Sequence, residues 1–351
     1  MRTLQYQELI DHSIELLELI GSSSVEANRV ASNLVMANLS GHDSHGVGML
    51  PRYAESYLEG CLQPNTSYRI LNDLGALIAL DGQRGFGQIV GEDAMSLGID
   101  RANQLGSCIL SIANAHHLGR IGHFAEQVAE AGLVSIHLVN VLSSPAVAIW
   151  GGSDGRHGTN PFCIGVPVIN QKPFILDFAT SLVAQGKMRV AHNSGKSVEP
   201  GILLDSNGKP TTDPSVVVVP NDQGKMGAIL PFGEHKGSGL AVACELLGGA
   251  LTGSGTLKYR KAPGRGVING MLSILIKPNA IGPQSQFETE VMGFIEAAKQ
   301  TKPAANIDSV LLAGEPEQLK RIERMKNGIE IDDQTWEEIL GAKQKVLDAK
   351  K

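Results

Sequence analysis

Cysteine is scarce in this chain, and its four cysteines stand far apart. They form no Cys-x-x-Cys pair, and three of them lie in apolar runs; the four are Cys61, Cys108, Cys163 and Cys244. Paired cysteines at short spacing are the usual signal of zinc sites and redox motifs, and that signal is missing. We therefore expect free and mostly buried thiols.

Long apolar runs and a basic excess are also missing. No stretch is long enough to span a bilayer, and no apolar signal core precedes the first amphipathic run. With 30 Lys and Arg against 36 Asp and Glu, the formal net charge is −6, and the sequence has no basic stripe. A nucleic-acid partner would normally require one. The sequence thus predicts a cytoplasmic protein that binds neither membrane nor nucleic acid.

The common phosphate-binding glycine motifs are absent as well. Gly-x-Gly pairs occur, but none has the third glycine of the Rossmann fingerprint, and there is no Walker A loop. A dinucleotide, if one binds, is therefore held by a different turn. What the chain does have is 41 glycines in 351 residues, with 42% hydrophobic and 19% charged residues. This composition is typical of a soluble globular protein with many tight turns and about two domains.

Hydrophobic periodicity divides the chain into three parts. Helical spacing dominates up to about residue 60, β-like and helical runs alternate from about residue 75, and helical spacing returns after residue 302. The β-like runs are 76–80, 108–112, 134–139, 163–168, 174–177 and 267–277, the helical ones 88–105, 121–131 and 234–251, with a turn-rich stretch at 199–213. We predict an α/β protein with a helical N-terminal lobe (1–72), an α/β core (73–300) and a C-terminal helical segment (301–351) that packs back on the lobe.

The first chemical motif is Gly-His-Asp-Ser-His-Gly at 41–46. It follows a helical run that opens with a predicted capping box formed by Ser23 and Glu26. The motif is therefore predicted to lie at a helix C-terminus, where the dipole favours an imidazolium. His45 is our first candidate for a general acid/base. The alternative is that His42 and His45 only cap the helix.

A second motif, at 114–122, follows a β-like run and precedes a helical one. This order places it at the C-terminal end of a strand, where open α/β sheets bind ligands. Arg120 could pair with a carboxylate or a phosphate, and Gly119 and Gly122 allow a ligand to approach the backbone. The alternative is a polar strand-to-helix turn.

Three further clusters place polar side chains at the ends of predicted elements. Asp177 ends the strand before 178–181 and could orient an imidazolium, with an ordinary helix N-cap as the alternative. His235 and Lys236 open a helix, where free N–H groups favour a phosphate. The loop at 312–317 enters a helix with a proline at its start and could serve capping alone.

His42, Asp43 and His45 could also serve as metal ligands. No His-x-x-x-His helix and no cysteine cluster accompanies them, so the sequence does not favour a metal site. A metal-dependent hydrolase or lyase nevertheless stays as the alternative from a different class. A protein that only binds its ligand is the third alternative, and the many acid/base groups at strand ends argue against it.

Six motifs, taken in order, resemble the malate/L-sulfolactate/L-lactate dehydrogenase family. They are Gly-His-Asp-Ser-His-Gly at 41–46, Asn-x-x-His-x-Gly at 114–119, Gly-Thr-Asn-Pro at 158–161, Leu-Asp-x-Ala-Thr-Ser at 176–181, Glu-His-Lys-Gly at 234–237 and Gly-Glu-Pro at 314–316. They span nearly the whole chain, and the combination is far more specific than any single motif. Within the family the sequence looks most similar to the hydroxycarboxylate dehydrogenase B branch.

The resemblance implies a non-Rossmann, mixed β-sheet core of the L-sulfolactate dehydrogenase type, a homodimer, and NAD, with NADP as the alternative, as hydride carrier. It also implies that His45 donates the proton when a 2-oxo acid is reduced and that Asp177 supports it. His117 matches a histidine with an acid/base role in some relatives. We favour His45, because a helix-end setting and an Asp177 partner would tune its pKa to the task.

By the same resemblance, one set of residues contacts the cofactor. The set consists of His45, Gly119, Arg120, Ile121, Leu176, Asp177, Phe178, Ala179, Thr180, His235, Asn269, Gly314, Glu315, Pro316 and Glu317. Many relatives have an arginine in place of Met49, where it can grip the substrate carboxylate. That anchor must lie elsewhere here, and Arg52 and Arg120 are the candidates. An apolar Met49 suits a substrate with a larger or less polar side chain.

The predicted function is that of an NAD(P)-dependent oxidoreductase that interconverts 2-oxo acids and 2-hydroxy acids. Relatives that reduce cyclic imino acids or diketo sugar acids use similar proton chemistry. Such a substrate on the same fold is therefore the main alternative.

Overall fold

Helices predominate at both ends of the chain, and most of the strands lie in its middle, with further helices between them. The structure, a computed structural model, describes residues 1–258, 264 and 266–351. In chain order the elements are β1 (Arg2–Leu4), α1 (Tyr6–Leu19), α2 (Ser24–Leu39), α3 (Leu50–Leu58), β2 (Arg69–Asp73), β3 (Leu77–Asp81), α4 (Gly87–Leu105), β4 (Ser107–His116), α5 (Gly122–Glu130), β5 (Val134–Leu142), β6 (Val147–Ala148), β7 (Gly155–His157), β8 (Phe162–Val166), β9 (Phe174–Phe178), α6 (Gln185–Asn193), β10 (Leu203–Leu204), β11 (Pro210–Thr211), β12 (Ala228–Ile229), α7 (His235–Cys244, continued by a π-helical turn, Glu245–Ala250), β13 (Ile268–Ile276), α8 (Gln284–Lys299), α9 (Glu315–Asn327), β14 (Ile329–Ile331) and α10 (Asp333–Ala349).

The largest sheet has seven strands in the order β2-β3-β4-β13-β5-β8-β9. In this sheet β3 and β4 run parallel, and every other pair of neighbouring strands runs antiparallel. Strand β13, from late in the chain, lies between β4 and β5 and pairs with both. A doubly wound dinucleotide-binding sheet is built from parallel strands with helical crossovers. The predicted α/β fold with a mixed, non-Rossmann sheet is therefore confirmed.

Helices cover both faces of this sheet. Adjacent residues of a strand point to opposite faces, so Val139 packs in the cluster with Phe124 of α5, whereas Leu138 packs with Cys244 of α7. The first of these clusters also contains α4 and is fully buried at most of its positions. The sheet is thus the middle of three layers, and its residues on both faces are mainly apolar.

The helices at the two ends of the chain share one hydrophobic core. Leu17 and Val30 from the N-terminal helices are buried in the same cluster as Trp336 and Ile339 of α10. Strands β1 and β14 pair antiparallel, with Arg2 opposite Ile331, and so join the two ends. The C-terminal segment therefore packs against the N-terminal helices.

The sequence missed several short elements. The turn-rich stretch contains β10 and β11, which join β12, β6 and β7 in a second sheet with the order β11-β10-β12-β6-β7. Most of these strands have two residues, too few for a period of two to be visible in a sequence. Helices α6 and α8 were also not predicted, and none of the residues of α8 is buried.

The predicted capping box at α2 forms only in half. Ser23 accepts a hydrogen bond from the Glu26 N–H at 3.3 Å, as expected. The Glu26 carboxylate does not return to Ser23, however. It accepts the backbone N–H of Asn65 at 2.9 Å, and the Ser23 N–H is donated to Asn65 Oδ1 at 2.7 Å. A distant loop thus replaces the reciprocal bond that the local pattern predicted.

All four cysteines are free and buried, as predicted. Within the described ranges, none of the helices combines the length and the apolar character needed to cross a bilayer.

Candidate active site

The turn at 41–46 is held in place by Asn38, the second-to-last residue of α2. Its amide donates to Asp43 Oδ1 at 2.6 Å and accepts the Val47 N–H at 2.8 Å. Gly41 takes φ 81°, which suits the glycine that ends a helix. A Cβ on Gly46 would overlap the Asn38 side chain, so the second glycine of the motif is needed for this clamp.

The clamp presents His45 at a partly buried position. Its Nδ1 lies 3.0 Å from Ser44 Oγ, and its ring stacks on His117 with centroids 5.5 Å apart and an interplanar angle of 20°. Desolvation, with smaller contributions from the nearby His42 and Arg120, lowers the pKa of His45 to about 4. The expectation that the helix end favours an imidazolium is therefore wrong for the protein without ligands, because burial outweighs the dipole.

His117 directly follows β4, and a side chain of α3, itself bonded to one of α4, forms a hydrogen bond with its ring. Its Nδ1 is 2.8 Å from the hydroxyl oxygen of Tyr53, which in turn accepts a hydrogen bond from Gln88 Nε2 at 2.6 Å. Burial, followed by the charges of His45, His116 and Arg52, lowers the pKa of His117 well below its usual value. The half-buried Arg52 thus lies near His117, as a candidate anchor for an anionic substrate should.

Arg120, the other candidate anchor, is 4% exposed and already paired. It donates to Glu126 at 2.9 Å, and its Nε lies 3.9 Å from Asp177 Oδ2. Glu126 also accepts two hydrogen bonds from Arg321, at 2.8 and 2.9 Å. Two carboxylates therefore compensate Arg120, and its geometry is that of a buried ion-pair network rather than of a free carboxylate grip.

Asp177 lies at the end of β9, as predicted, but its partner is not the expected one. Its Oδ2 accepts the Gly122 N–H at 2.7 Å, and burial, partly offset by Arg120, raises its pKa. Among the residues that the structure describes, Asp177 and His45 form no hydrogen bond with each other. That Asp177 supports His45 stays a prediction, and no direct hydrogen bond between the two residues carries it.

His42 and Asp43 are tied to α9. His42 Nε2 lies 3.1 Å from Glu317 Oε1, and Arg324 binds Asp43 through two contacts of 2.7 and 3.0 Å. Two of the three residues of the metal-site alternative are thus already bound to side chains of α9. Across 1–258, 264 and 266–351, no group of three or more His, Cys, Asp or Glu residues is arranged to hold a metal ion.

The predicted cofactor contacts meet at one edge of the sheet. The Ile175 N–H donates to Ala313 at 3.2 Å, which places the loop before α9 beside β9. The Phe232 N–H donates to Thr180 at 3.1 Å, which brings the start of α7 and the exposed His235 to the same edge. The structure thereby gathers the predicted residues Gly119, Arg120, Ile121, Leu176, Asp177, Phe178, Ala179, Thr180, His235, Gly314, Glu315, Pro316 and Glu317.

Asn269 lies near the start of the central strand β13, opposite Ala115 of β4 and Val141 of β5, and its side chain is already hydrogen-bonded. Its Oδ1 accepts the Leu118 N–H at 2.9 Å, and its Nδ2 donates to the Asn140 carbonyl at 2.9 Å. It therefore holds the loop that follows β4. Any contact of Asn269 with a cofactor would add to this role.

Sequence reasoning missed the groups that hold the candidate side chains. Asn38, Tyr53 and Gln88 lie on apolar helical stripes, and a polar residue there gives no local sign of its partner. Met49, which the sequence did single out, is partly buried against the core of the N-terminal helices.

Comparison with known proteins identifies the family. The model of the malate/L-lactate dehydrogenase family matches residues 4–340. Hydroxycarboxylate dehydrogenase B of Escherichia coli (strain K12) is 44% identical over 330 residues, which are 93% of this chain and 90% of that protein.

Two solved structures extend the comparison. One, from E. coli and provisionally assigned as a malate/lactate dehydrogenase, has a TM-score of 0.91 and 41% identity, and the match covers 99% of this chain and 96% of that one. The other, Δ1-piperideine-2-carboxylate reductase from Pseudomonas syringae pvar. tomato, has a TM-score of 0.81 and 30% identity, with 97% and 100% covered. The resemblance found in the motifs is confirmed, and the chain belongs to the malate/L-lactate dehydrogenase family of dehydrogenases.

Proposed function

We propose that this protein interconverts 2-oxo acids and 2-hydroxy acids with NAD, or alternatively NADP, as hydride carrier. The observation that carries the proposal is the stacked pair of His45 and His117 with the Arg52 charge beside it. This arrangement joins a group that can move a proton to a cation that can hold a carboxylate. Following the family, we also propose a homodimer that acts in the cytoplasm.

The edge of the sheet fits a nicotinamide dinucleotide. Gly119 and Gly314, in two of the loops beside β9, both have positive φ, 79° and 93°, a backbone conformation that favours glycine. The start of α7 offers helical N–H groups together with His235 and Lys236, which suits a pyrophosphate. When bound, the nicotinamide supplies hydride to carbon 2 of the oxo acid, or accepts it in the reverse direction.

His45 is proposed to move the proton. Its Nδ1 is paired with Ser44, so Nε2 is the atom that faces a reacting oxygen. In reduction, carbon 2 gains the hydride and its oxygen takes the proton from Nε2, which yields the hydroxyl group and neutral imidazole. Oxidation reverses both transfers, with His45 as the base.

Arg52 is the proposed carboxylate anchor because its charge lies close enough to His117 to contribute to the lowered pKa of that histidine. A bound carboxylate would also favour a protonated His45, because an opposite charge stabilises the imidazolium. Substrate binding would in this way raise the pKa of His45 and offset part of the decrease that burial causes. Asp177 then acts on the site through Arg120 and Gly122 rather than through His45 directly.

A cyclic imino acid is the second candidate substrate. The structural match to a Δ1-piperideine-2-carboxylate reductase over nearly the full length of both chains favours keeping it. Reduction of an imine needs the same hydride acceptor carbon and the same carboxylate anchor, with nitrogen in place of the oxygen.

The test is the initial rate of NADH oxidation and, separately, of NADPH oxidation with a panel of 2-oxo acids and one cyclic imino acid. We expect turnover with a 2-oxo acid, and we expect Met49→Arg to shift preference toward substrates with smaller or more acidic side chains. Turnover with the imine alone would replace the proposed substrate class. An unchanged preference in Met49→Arg would show that Met49 does not shape the site.

A further inference from the structure

We propose that Tyr53 and Gln88 are positioning residues that hold His117 in the tautomer with its proton on Nε2, so that His117 acts as a neutral hydrogen-bond donor to the substrate. This inference rests on the proposed function and divides the work between the two stacked histidines. His45 moves a proton, whereas His117 gives a hydrogen bond and keeps its proton.

The directions of the hydrogen bonds follow from counting donors. Gln88 Nε2 donates to the Tyr53 oxygen at 2.6 Å, so the remaining bond of the phenol is the one to His117 Nδ1 at 2.8 Å. If His117 Nδ1 carried the proton, it would donate to the same oxygen. With the Gln88 amide oriented so that Nε2 faces the phenol, the phenol hydrogen would then lie buried without an acceptor among the described residues, at a cost of about 1–3 kcal/mol. The phenol therefore donates, and a neutral His117 carries its proton on Nε2.

Burial determines the protonation states in the hydrogen-bonded series of Gln88, Tyr53 and His117. Tyr53 and Gln88 are both 0% exposed. Burial raises the pKa of Tyr53 although the bond from Gln88 lowers it, so the phenol remains protonated. Burial, with the positive charge of Arg52 as a smaller contribution, likewise lowers the pKa of His117 and keeps it neutral. Neither group is set up to exchange a proton near neutral pH.

The free nitrogen of His117 lies on the ring edge opposite Tyr53. His117 is 9% exposed, and no described residue forms a hydrogen bond with its Nε2. The adjacent His116 is 0% exposed and has both ring nitrogens buried without a partner, so it cannot take this role. A neutral imidazole that donates to a carbonyl oxygen polarises it without repelling Arg52.

The simplest competing explanation is that Tyr53 is only a packing residue. Its ring contacts Phe86 and His116 edge-on, at 5.7 and 5.4 Å between centroids. Tyr53→Phe preserves this packing and removes only the hydroxyl. The substitution therefore separates packing from control of the tautomer.

The test is nitrogen NMR of the protein labelled with ¹⁵N at the histidine rings, recorded without substrate. We expect one tautomer at His117 in the wild type, with Nε2 protonated and Nδ1 not. In Tyr53→Phe both nitrogens should shift toward a mixture of tautomers. The signal is assigned by its loss in His117→Asn, and His137, whose Nδ1 is bound to Ser273 at 2.8 Å, is the internal reference.

Tyr57→Phe is the matched control on the same helix, and it should leave the His117 signals unchanged. Gln88→Glu is the second variant, because a carboxylate oxygen at this position can accept the phenol hydrogen and should shift His117 toward the tautomer with its proton on Nδ1. A protonated Nδ1 in the wild type would overturn the proposal, and so would unchanged His117 signals in a folded Tyr53→Phe or Gln88→Glu.

Kinetics supply the second measurement. Tyr53→Phe should lower kcat/KM for the oxo acid about tenfold, the size of one hydrogen bond, with little change in KM for the nucleotide. Lack of turnover in the wild type would contradict the proposed function and leave the NMR result to decide the tautomer. A single His117 tautomer in the wild type, together with full activity in Tyr53→Phe, would contradict only the role of Tyr53 and Gln88 in catalysis.

Discussion

At His45 two electrostatic effects oppose each other. The end of α2 favours a positive ring by about 1 kcal/mol or less, which is under one pKa unit. Removal of water from a histidine can lower its pKa by roughly 3 units or more when burial is complete. Desolvation is the larger effect here, and the pKa falls to about 4. The sequence shows where a helix ends, but it does not show how much protein surrounds that end.

This pKa predicts opposite pH profiles for the two directions of the reaction. The kcat/KM for reduction requires protonated His45 and should fall as the pH rises above about 4, whereas the kcat/KM for oxidation requires the neutral ring and should fall only below that pH. His42→Gln should move both profiles to higher pH, because His42 contributes to the lowered pKa. The measurement is kcat/KM in both directions across this range. An apparent pKa near 6.5 in the wild type would show that desolvation does not control His45.

The residues of the ion-pair network illustrate the same limit. The motifs singled out Arg120 and Asp177, but each residue type allows several partners. Only the fold shows that Arg120 bonds to Glu126 and that Asp177 accepts the Gly122 N–H. The residue types could be predicted from the sequence, whereas their pairing could not.

At the scale of elements, α9 shows how a helix far along the chain controls the site. Glu317, Arg321 and Arg324 follow one another at spacings of four and three, so they lie on one face. That face binds His42, Glu126 and Asp43. The sequence predicted the helix and its proline start but gave no sign of this contact, because its partners lie more than 190 residues away.

Helix α4 provides a stability prediction. A Cβ on Gly91 would overlap the ring of Phe124 in α5, so Gly91→Ala should destabilise the protein by about 1–3 kcal/mol despite the better helix propensity of alanine. Gly341 of α10 has open space around it, and Gly341→Ala should stabilise by about 0.5–1 kcal/mol. Denaturant unfolding measures both free energies. Equal effects of the two substitutions would show that the contact of α4 with α5 does not require glycine.

At the scale of the whole molecule, local patterns predicted most helices and the long strands but not their arrangement. The run at 267–277 was identified as a strand, yet nothing local indicates that β13 lies between β4 and β5. The shared core of Leu17 and Trp336 joins residues at opposite ends of the chain. Strand order and end-to-end packing depend on contacts between distant residues, which periodicity in a single sequence does not record.

The candidate site shows the same difference between local patterns, which the sequence displays, and contacts between distant residues, which it does not. The turn that carries His45 stood out in the sequence because glycines, histidines and a carboxylate are unusual at a helix end. Tyr53 and Gln88, which hold His117, lie among apolar residues and look like parts of the core. A supporting hydroxyl or amide becomes visible only when the fold brings its partner within 3 Å.

The most direct measurement is the steady-state oxidation of NADH or NADPH with the best 2-oxo acid, for the wild type, for His45→Ala and for the exposed-histidine control His12→Ala. Loss of the proton donor should lower kcat by about 100-fold to 10,000-fold while the control keeps wild-type turnover. A His45→Ala variant that turns over at the wild-type rate would contradict the assignment of His45 as the proton donor and, with it, the proposed mechanism.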